Sequence, residues 1–186
     1  MKKIIILFSG NGTNLEKIID SDHNHVDYEV VGAIASNSVC KGIKRAEDRG
    51  VPVSIVDSVQ YKDRLSFDIA LSQKLQEYDY DLIVFAGFMR ILTQFFFTQE
   101  RKIVNIHPSV LPAFKGYKAL RRSFNSETKD TGISIHWVTK ELDEGKIIKT
   151  VPLGKLTKDE TYDEFKERIQ QLEHKTYPEV IANLIL

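Results

Sequence analysis

Five apolar runs of strand length, each separated from the next by an amphipathic stretch, limit what this chain can fold into more than any other feature. They are "IIILF" (4–8), "YEVVGAIAS" (28–36), "VPVSIVD" (51–57), "DLIVFAGF" (81–88) and "KIVNIH" (102–107). Runs that are apolar throughout, rather than on alternate residues, fit strands covered on both faces. Strands alternating with helical segments predict an α/β fold, a single-domain doubly wound sheet, mostly parallel and Rossmann-like. The helical candidates are "TNLEKIID", "KGIKRAEDRG" and "DRLSFDIALSQKLQEYD", in which Leu65, Ile69, Leu71 and Leu75 are expected on one side.

After residue 130 the pattern changes. "GISIHWVTKELDEGKIIKTVPL" reads as two strands around an acidic, Gly-containing turn, an antiparallel extension of the sheet. A closing helix follows, with Thr157 and Glu160 as its capping box and Tyr162, Phe165, Ile169 and Leu172 on its buried side. The 186 residues are expected to form one domain. Charge argues against a polyanionic partner: 26 basic and 26 acidic residues cancel, so any anion site has to be local. The N-terminal apolar run is too short for a signal peptide or a membrane span. The single cysteine, Cys40, suits a reducing compartment and reads as a small, partly buried residue. A soluble intracellular protein is expected.

In open α/β sheets, ligands bind beyond the carboxyl ends of the strands. "FSGNGTN" (8–14) sits there, between the first strand and its helix. Gly10 and Gly12 permit close backbone approach, and Thr13 and Asn14 can cap the helix, so backbone N–H groups and the helix dipole can meet a phosphate. The same residues also fit a plain tight turn. The third glycine of a dinucleotide fingerprint is missing, and so is the Gly-Lys-Ser/Thr of a P-loop.

"NIHPSVLPAF" (105–114) closes the fifth strand. With Ile106 between them, Asn105 and His107 point the same way, and Pro108 and Pro112 stiffen the exit. An amide can donate to an oxyanion; an imidazole can do so too, or move a proton near neutral pH. The best candidate to orient the imidazole is Asp143, in the turn of the appended strand pair, and a carboxylate there favours the cationic ring. Ser109 reads as a turn residue, so the chain offers no obvious nucleophile, and the set suits a substrate that brings its own, such as an amine attacking an acyl donor. His107, His136 and His174 are too scattered for a metal centre, and His136, in "SIHWV", reads as a satisfied structural histidine. His23 and His25 fall in a polar loop and read as solvated.

Taken together, these segments resemble the folate-dependent formyltransferases over essentially the whole chain. "SGNGTN" resembles the family's phosphate loop, "AGFMRIL" (86–92) its folate-pocket strand end, "NIHPSVLPAF" its catalytic segment, "ELDEG" its acidic loop and "LEHKTYP" (172–178) its C-terminal substrate helix. The phosphate loop together with "EHKTYP" points to the branch serving purine synthesis. The resemblance implies a phosphate-binding half (about 1–100) and a catalytic, folate-binding half (about 101–186). Asn105, His107 and Asp143 would be catalytic. Gly12, Thr13, Asn14, Gln170 and Glu173 would hold the acceptor, glycinamide ribonucleotide. Arg64, Met89, Arg90, Ile91, Leu92, Asn105, Thr139, Lys140, Glu141, Leu142 and Asp143 would line the site of 10-formyltetrahydrofolate. It further implies a cytoplasmic enzyme, monomer or homodimer, acting on these small molecules without metal, nucleic acid or membrane.

Two places depart from the family pattern. Lys115 stands where Pro is usual and "LRRS" (120–123) where a His-Arg-Gln-Ala run is usual, and Lys146 replaces a common Pro. Either the segment has drifted, or Lys118, Arg121 or Arg122 supplies positive potential toward the phosphate or the folate tail. Two other readings remain: an amino-sugar nucleotide formyltransferase with the same centre, and a non-catalytic nucleotide-binding module.

Overall fold

A computed structural model describes residues 1–22, 28–126, 131–157 and 159–185. In chain order the elements are β1 (Lys2–Phe8), α1 (Thr13–Asp22), β2 (Tyr28–Ala35), α2 (Gly42–Glu47), β3 (Val53–Ile55), α3 (Arg64–Leu75), β4 (Leu82–Phe85), β5 (Ile103–His107), α4 (Ala119–Phe124), β6 (Thr131–Trp137), β7 (Ile147–Gly154) and α5 (Tyr162–Leu184). One seven-stranded sheet runs through them in the order β3-β2-β1-β4-β5-β6-β7. Strands β1 to β5 pair in parallel, while β6 and β7 join antiparallel, as the change of pattern after residue 130 predicts.

The continuous apolarity of β1 follows from its central place. Ile4, Ile6 and Phe8 pack on one face with Leu15, Ile18 and Ile19 of α1 and Phe165, Ile169 and Ile181 of α5. Ile5 and Leu7 pack on the other with Phe67, Leu71 and Leu75 of α3 and with Phe96. Successive residues face opposite sides of a strand, so covering both faces requires every position to be apolar. β7, at the edge, shows the contrary pattern, exposed and half-buried by turns.

Three expectations need correction. On α3 the buried side carries Phe67, Asp68, Leu71, Ser72 and Leu75, whereas Leu65 and Ile69 are exposed. The apolar spacing misled because Asp68, seemingly a surface residue, is buried: its carboxylate accepts from the Thr93 backbone and hydroxyl at 2.6 Å each, anchoring the segment after β4. The closing helix starts one box later than expected, with Thr161 as N-cap and Glu164 completing the reciprocal pair. Thr157 and Glu160 do bond each other, but in the turn before the helix. The third strand shrinks from 51–57 to Val53–Ile55, because at the sheet edge only these residues find ladder partners on β2.

His23 and His25 lie outside the described residues. Among the described residues no helix is long and apolar enough to cross a membrane.

Candidate active site

The parallel strands all point their carboxyl ends the same way, and the chain's crossovers diverge on either side of the β1/β4 pair. A cleft of about 740 Å³ opens there, lined by the glycine loop, the residues after β4, the end of β5, the loop between β6 and β7, and one side of α5.

At one end lies the glycine loop. Gly12 has φ +73°, and a Cβ on it would come within 2.6 Å of the Gly42 Cα, so glycine is needed both for the turn and for the passage of α2 beside it. Asn14 does not cap α1. Its Nδ2 donates to Glu173 Oε2 at 2.9 Å, joining the start of α1 to α5, and its buried Oδ1 has no partner. Burial pushes the Glu173 carboxyl up to about 7, against the lowering effect of the Asn14 hydrogen bond. Four residues on, the Tyr177 hydroxyl shares its one hydrogen between the carbonyls of Phe85 and Val104 at 2.9 and 3.1 Å, fixing α5 over the ends of β4 and β5. Gln170 shares the cleft side of this helix with Glu173.

The other end is made by β5, β6 and two loops. Asn105 and His107 both line the cleft, as strand alternation requires. The loop between β6 and β7 folds back over the strand ends and brings Asp143 Oδ2 to 3.4 Å from His107 Nδ1. The opposite ring nitrogen, Nε2, donates to the Phe114 carbonyl at 2.9 Å. A carbonyl can only accept, so Nε2 carries a proton. Asp143 Oδ2 also accepts from the Gly116 amide at 2.7 Å. Gly145, two residues after Asp143, has no room for a side chain, since a Cβ would fall on the Trp137 carbonyl. The loop thus closes tightly against β6, with the Trp137 amide donating to the Lys146 carbonyl at 3.0 Å.

His136 is the residue that sequence reasoning set aside. It pairs in register with Asn105 across β5 and β6, and its Nε2 lies 3.2 Å from Asn105 Nδ2 and 3.6 Å from Asp143 Oδ1. It is indeed satisfied, yet its partners are the candidate catalytic residues. The readable signal was its place on a strand that had to pair with 102–107.

The remaining expected residues divide. Met89, Arg90, Ile91, Leu92 and Thr139 to Leu142 line the cleft, Met89 and Ile91 as exposed rim and Leu92 as part of the core. Arg64, exposed at the start of α3, is not among the lining residues. In the departing segment, Arg121 stacks on Tyr162 at 3.5 Å from the ring centroid. Arg122 is spent on carbonyls, donating to Tyr117 and Phe114 at 3.1 and 3.2 Å and also to Lys115. Of the three cations proposed to supply potential, only Lys118 lines the cleft. Lys115 pairs with Glu144 at 3.0 Å, lacing the segment to the Asp143 loop.

Comparison with known proteins identifies the family. The formyl transferase family matches residues 2–181. The phosphoribosylglycinamide formyltransferase of Bacillus subtilis is 33% identical over 187 residues, covering all of this chain and 95% of its own. The trifunctional purine biosynthetic protein adenosine-3 of Gallus gallus is 38% identical over 180 residues, 95% of this chain; the match spans only 18% of that longer protein. The crystal structure of phosphoribosylglycinamide formyltransferase from Campylobacter jejuni superposes with a TM-score of 0.92 at 40% identity, covering 100% of this chain and 98% of that one. A site with an amide, an imidazole and a carboxylate at the strand ends, within this fold and these matches, makes the chain a member of the formyl transferase family.

Proposed function

We propose that the protein transfers the formyl group of 10-formyltetrahydrofolate to the amino group of glycinamide ribonucleotide, a step of purine biosynthesis. The observation that carries this is that the glycine loop and the Asn105, His107 and Asp143 side chains line one cleft, with no Ser or Cys among its described lining residues. Full-length relatives named for this activity support it.

In this reaction the acceptor amine adds to the formyl carbon, and the folate nitrogen departs with a proton. The glycine loop, with Gly12, Thr13 and Asn14, takes the acceptor phosphate through backbone N–H groups at the start of α1. Glu173 and Gln170 face the ribose and glycinamide portion. The rim of Met89 to Leu92 and the segment Thr139 to Asp143 hold the folate, and Arg64, outside the cleft lining, would act only on a part of the folate that extends beyond it.

At the reacting carbon, Asn105 offers an N–H from Nδ2 to the developing oxyanion. His107, as imidazolium between Asp143 and the Phe114 carbonyl, places positive charge beside it. Both ring nitrogens of His107 are already engaged, so direct donation to the oxyanion requires Nε2–H to leave Phe114. Asp143 holds the charged ring and relays the proton, through water, toward the folate nitrogen.

A spectroscopic assay of tetrahydrofolate release separates the readings. Release is expected with glycinamide ribonucleotide and not with an amino-sugar nucleotide. The reverse pattern would transfer the same centre to the other acceptor, and no release with either would leave a binding module.

A further inference from the structure

The amide of Asn105 is useful to an oxyanion only one way round: Nδ2 donates and Oδ1 repels. Nothing in the shape of an amide fixes that choice; the neighbours must. Here the neighbour is His136. Its Nδ1 lies 3.0 Å from the Trp137 carbonyl, which can only accept, so Nδ1 carries the proton. Its Nε2, 3.2 Å from the Asn105 side chain, is then left with a lone pair provided the ring is neutral.

Burial lowers the affinity of this ring for a second proton, outweighing the Trp137 carbonyl and the Asp143 carboxylate, which act the other way; the nearby His107 adds to the lowering. The ring is 2% exposed, and the Asp143 oxygen at 3.6 Å is beyond a hydrogen bond. A lone pair at Nε2 accepts only from a donor, so Asn105 must turn Nδ2 toward it. One hydrogen of Nδ2 is used there, and the second remains for the cleft.

The strands fix the pair. Asn105 and His136 are direct cross-strand partners, and the β6–β7 ladder slips between Ile135 and His136, with Ile148 as the extra residue on β7. Such a bulge re-aims side chains locally.

We propose that His136 is a positioning residue: its Nδ1–H tautomer, locked by the Trp137 carbonyl, orients the Asn105 amide so that Nδ2 faces the reaction. The kinetic consequence rests on the formyl-transfer reading above; the tautomer does not.

Nitrogen NMR of the ligand-free, 15N-histidine-labelled wild-type protein reads the tautomer directly. Near neutral pH, His136 is expected with Nδ1 protonated and Nε2 bare. An Nε2–H tautomer or an imidazolium would overturn the proposal, whatever the enzyme's activity. In kinetics, His136→Ala is expected to lower kcat about tenfold, less than the loss of a whole oxyanion donor, with both KM values little changed. On an Asn105→Ala background the same change should do almost nothing, and His136→Gln, whose Oε1 can accept from Asn105, should recover part of the loss. Equal losses on both backgrounds would show that His136 acts independently of Asn105 and would also overturn it.

Discussion

The two ends of the cleft solve the same backbone problem differently. At the proposed phosphate end, where the chain must take a left-handed conformation, it uses glycine: Gly12 at φ +73°. Around the reaction end, Gly116 is also left-handed at φ 77°, but Phe114, Lys118 and Asp143 hold φ of 57°, 55° and 54° with full side chains. Binding an anion through backbone N–H groups needs the backbone bare. Placing a carboxylate against an imidazole needs a side chain where the turn is tightest, and the fold there carries the strain of about 1–2 kcal/mol that such a residue costs. The proposed phosphate end is therefore built chiefly from backbone, while the proposed reaction end is built chiefly from side chains and laced together by loops.

If that contrast holds, changes at the reaction end should strike turnover and spare binding. Removing His107 or Asn105 as alanine is expected to reduce kcat by about 10²-fold or more, with acceptor KM nearly constant, in steady-state kinetics. Changes at the phosphate end should do the opposite. Gly12→Ala sets a Cβ against the Gly42 Cα in a left-handed turn, so the acceptor KM should rise more than kcat falls, with a loss of stability of at least about 1–2 kcal/mol seen in denaturant melts.

Glu173 sharpens the comparison through pH. Its carboxyl has a higher proton affinity in the folded protein, about 7, than when unfolded, so the folded state binds the extra proton between about 4.5 and 7. Stability from this group is present below that window and is lost as pH rises through it. Glu173→Gln should therefore melt near the wild type at pH 5 and higher than it at pH 8, by a few kcal/mol at most. Equal differences at both values would remove the assignment. The smallest effect belongs to the Lys115–Glu144 pair, 36% and 53% exposed: Lys115→Ala should cost well under about 1 kcal/mol, and less still at high salt.

Much of this was legible in sequence because it is local. β1 had to be covered on both faces once every residue of "IIILF" was apolar, and Asn105 and His107 had to share a side once they flanked Ile106. Asp143 was readable as the acid of a turn that can fold back. What escaped was non-local. Asp68 belongs to the buried side of α3 only once Thr93 is placed against it, so Leu65 and Ile69 turn outward while Leu71 and Leu75 stay buried as expected. Thr157–Glu160 and Thr161–Glu164 are both capping boxes by composition, and only the packing of Phe165 and Ile169 selects the second. His136 looked like an ordinary strand histidine because its meaning lies in a cross-strand register, not in its neighbours in sequence. Arg121 and Arg122, candidates for free positive potential, turned out to be held by a ring and by loop carbonyls.

The most direct test of the account is Asp143→Asn. Asparagine tolerates the left-handed turn and keeps an oxygen for the Gly116 amide, so it removes little besides the charge. In a single-turnover experiment with bound glycinamide ribonucleotide and 10-formyltetrahydrofolate, the account predicts acceptor binding close to that of the wild type and formyl transfer slower by about 10²-fold or more. Transfer at near wild-type rate would show that the carboxylate beside His107 is not what drives the reaction.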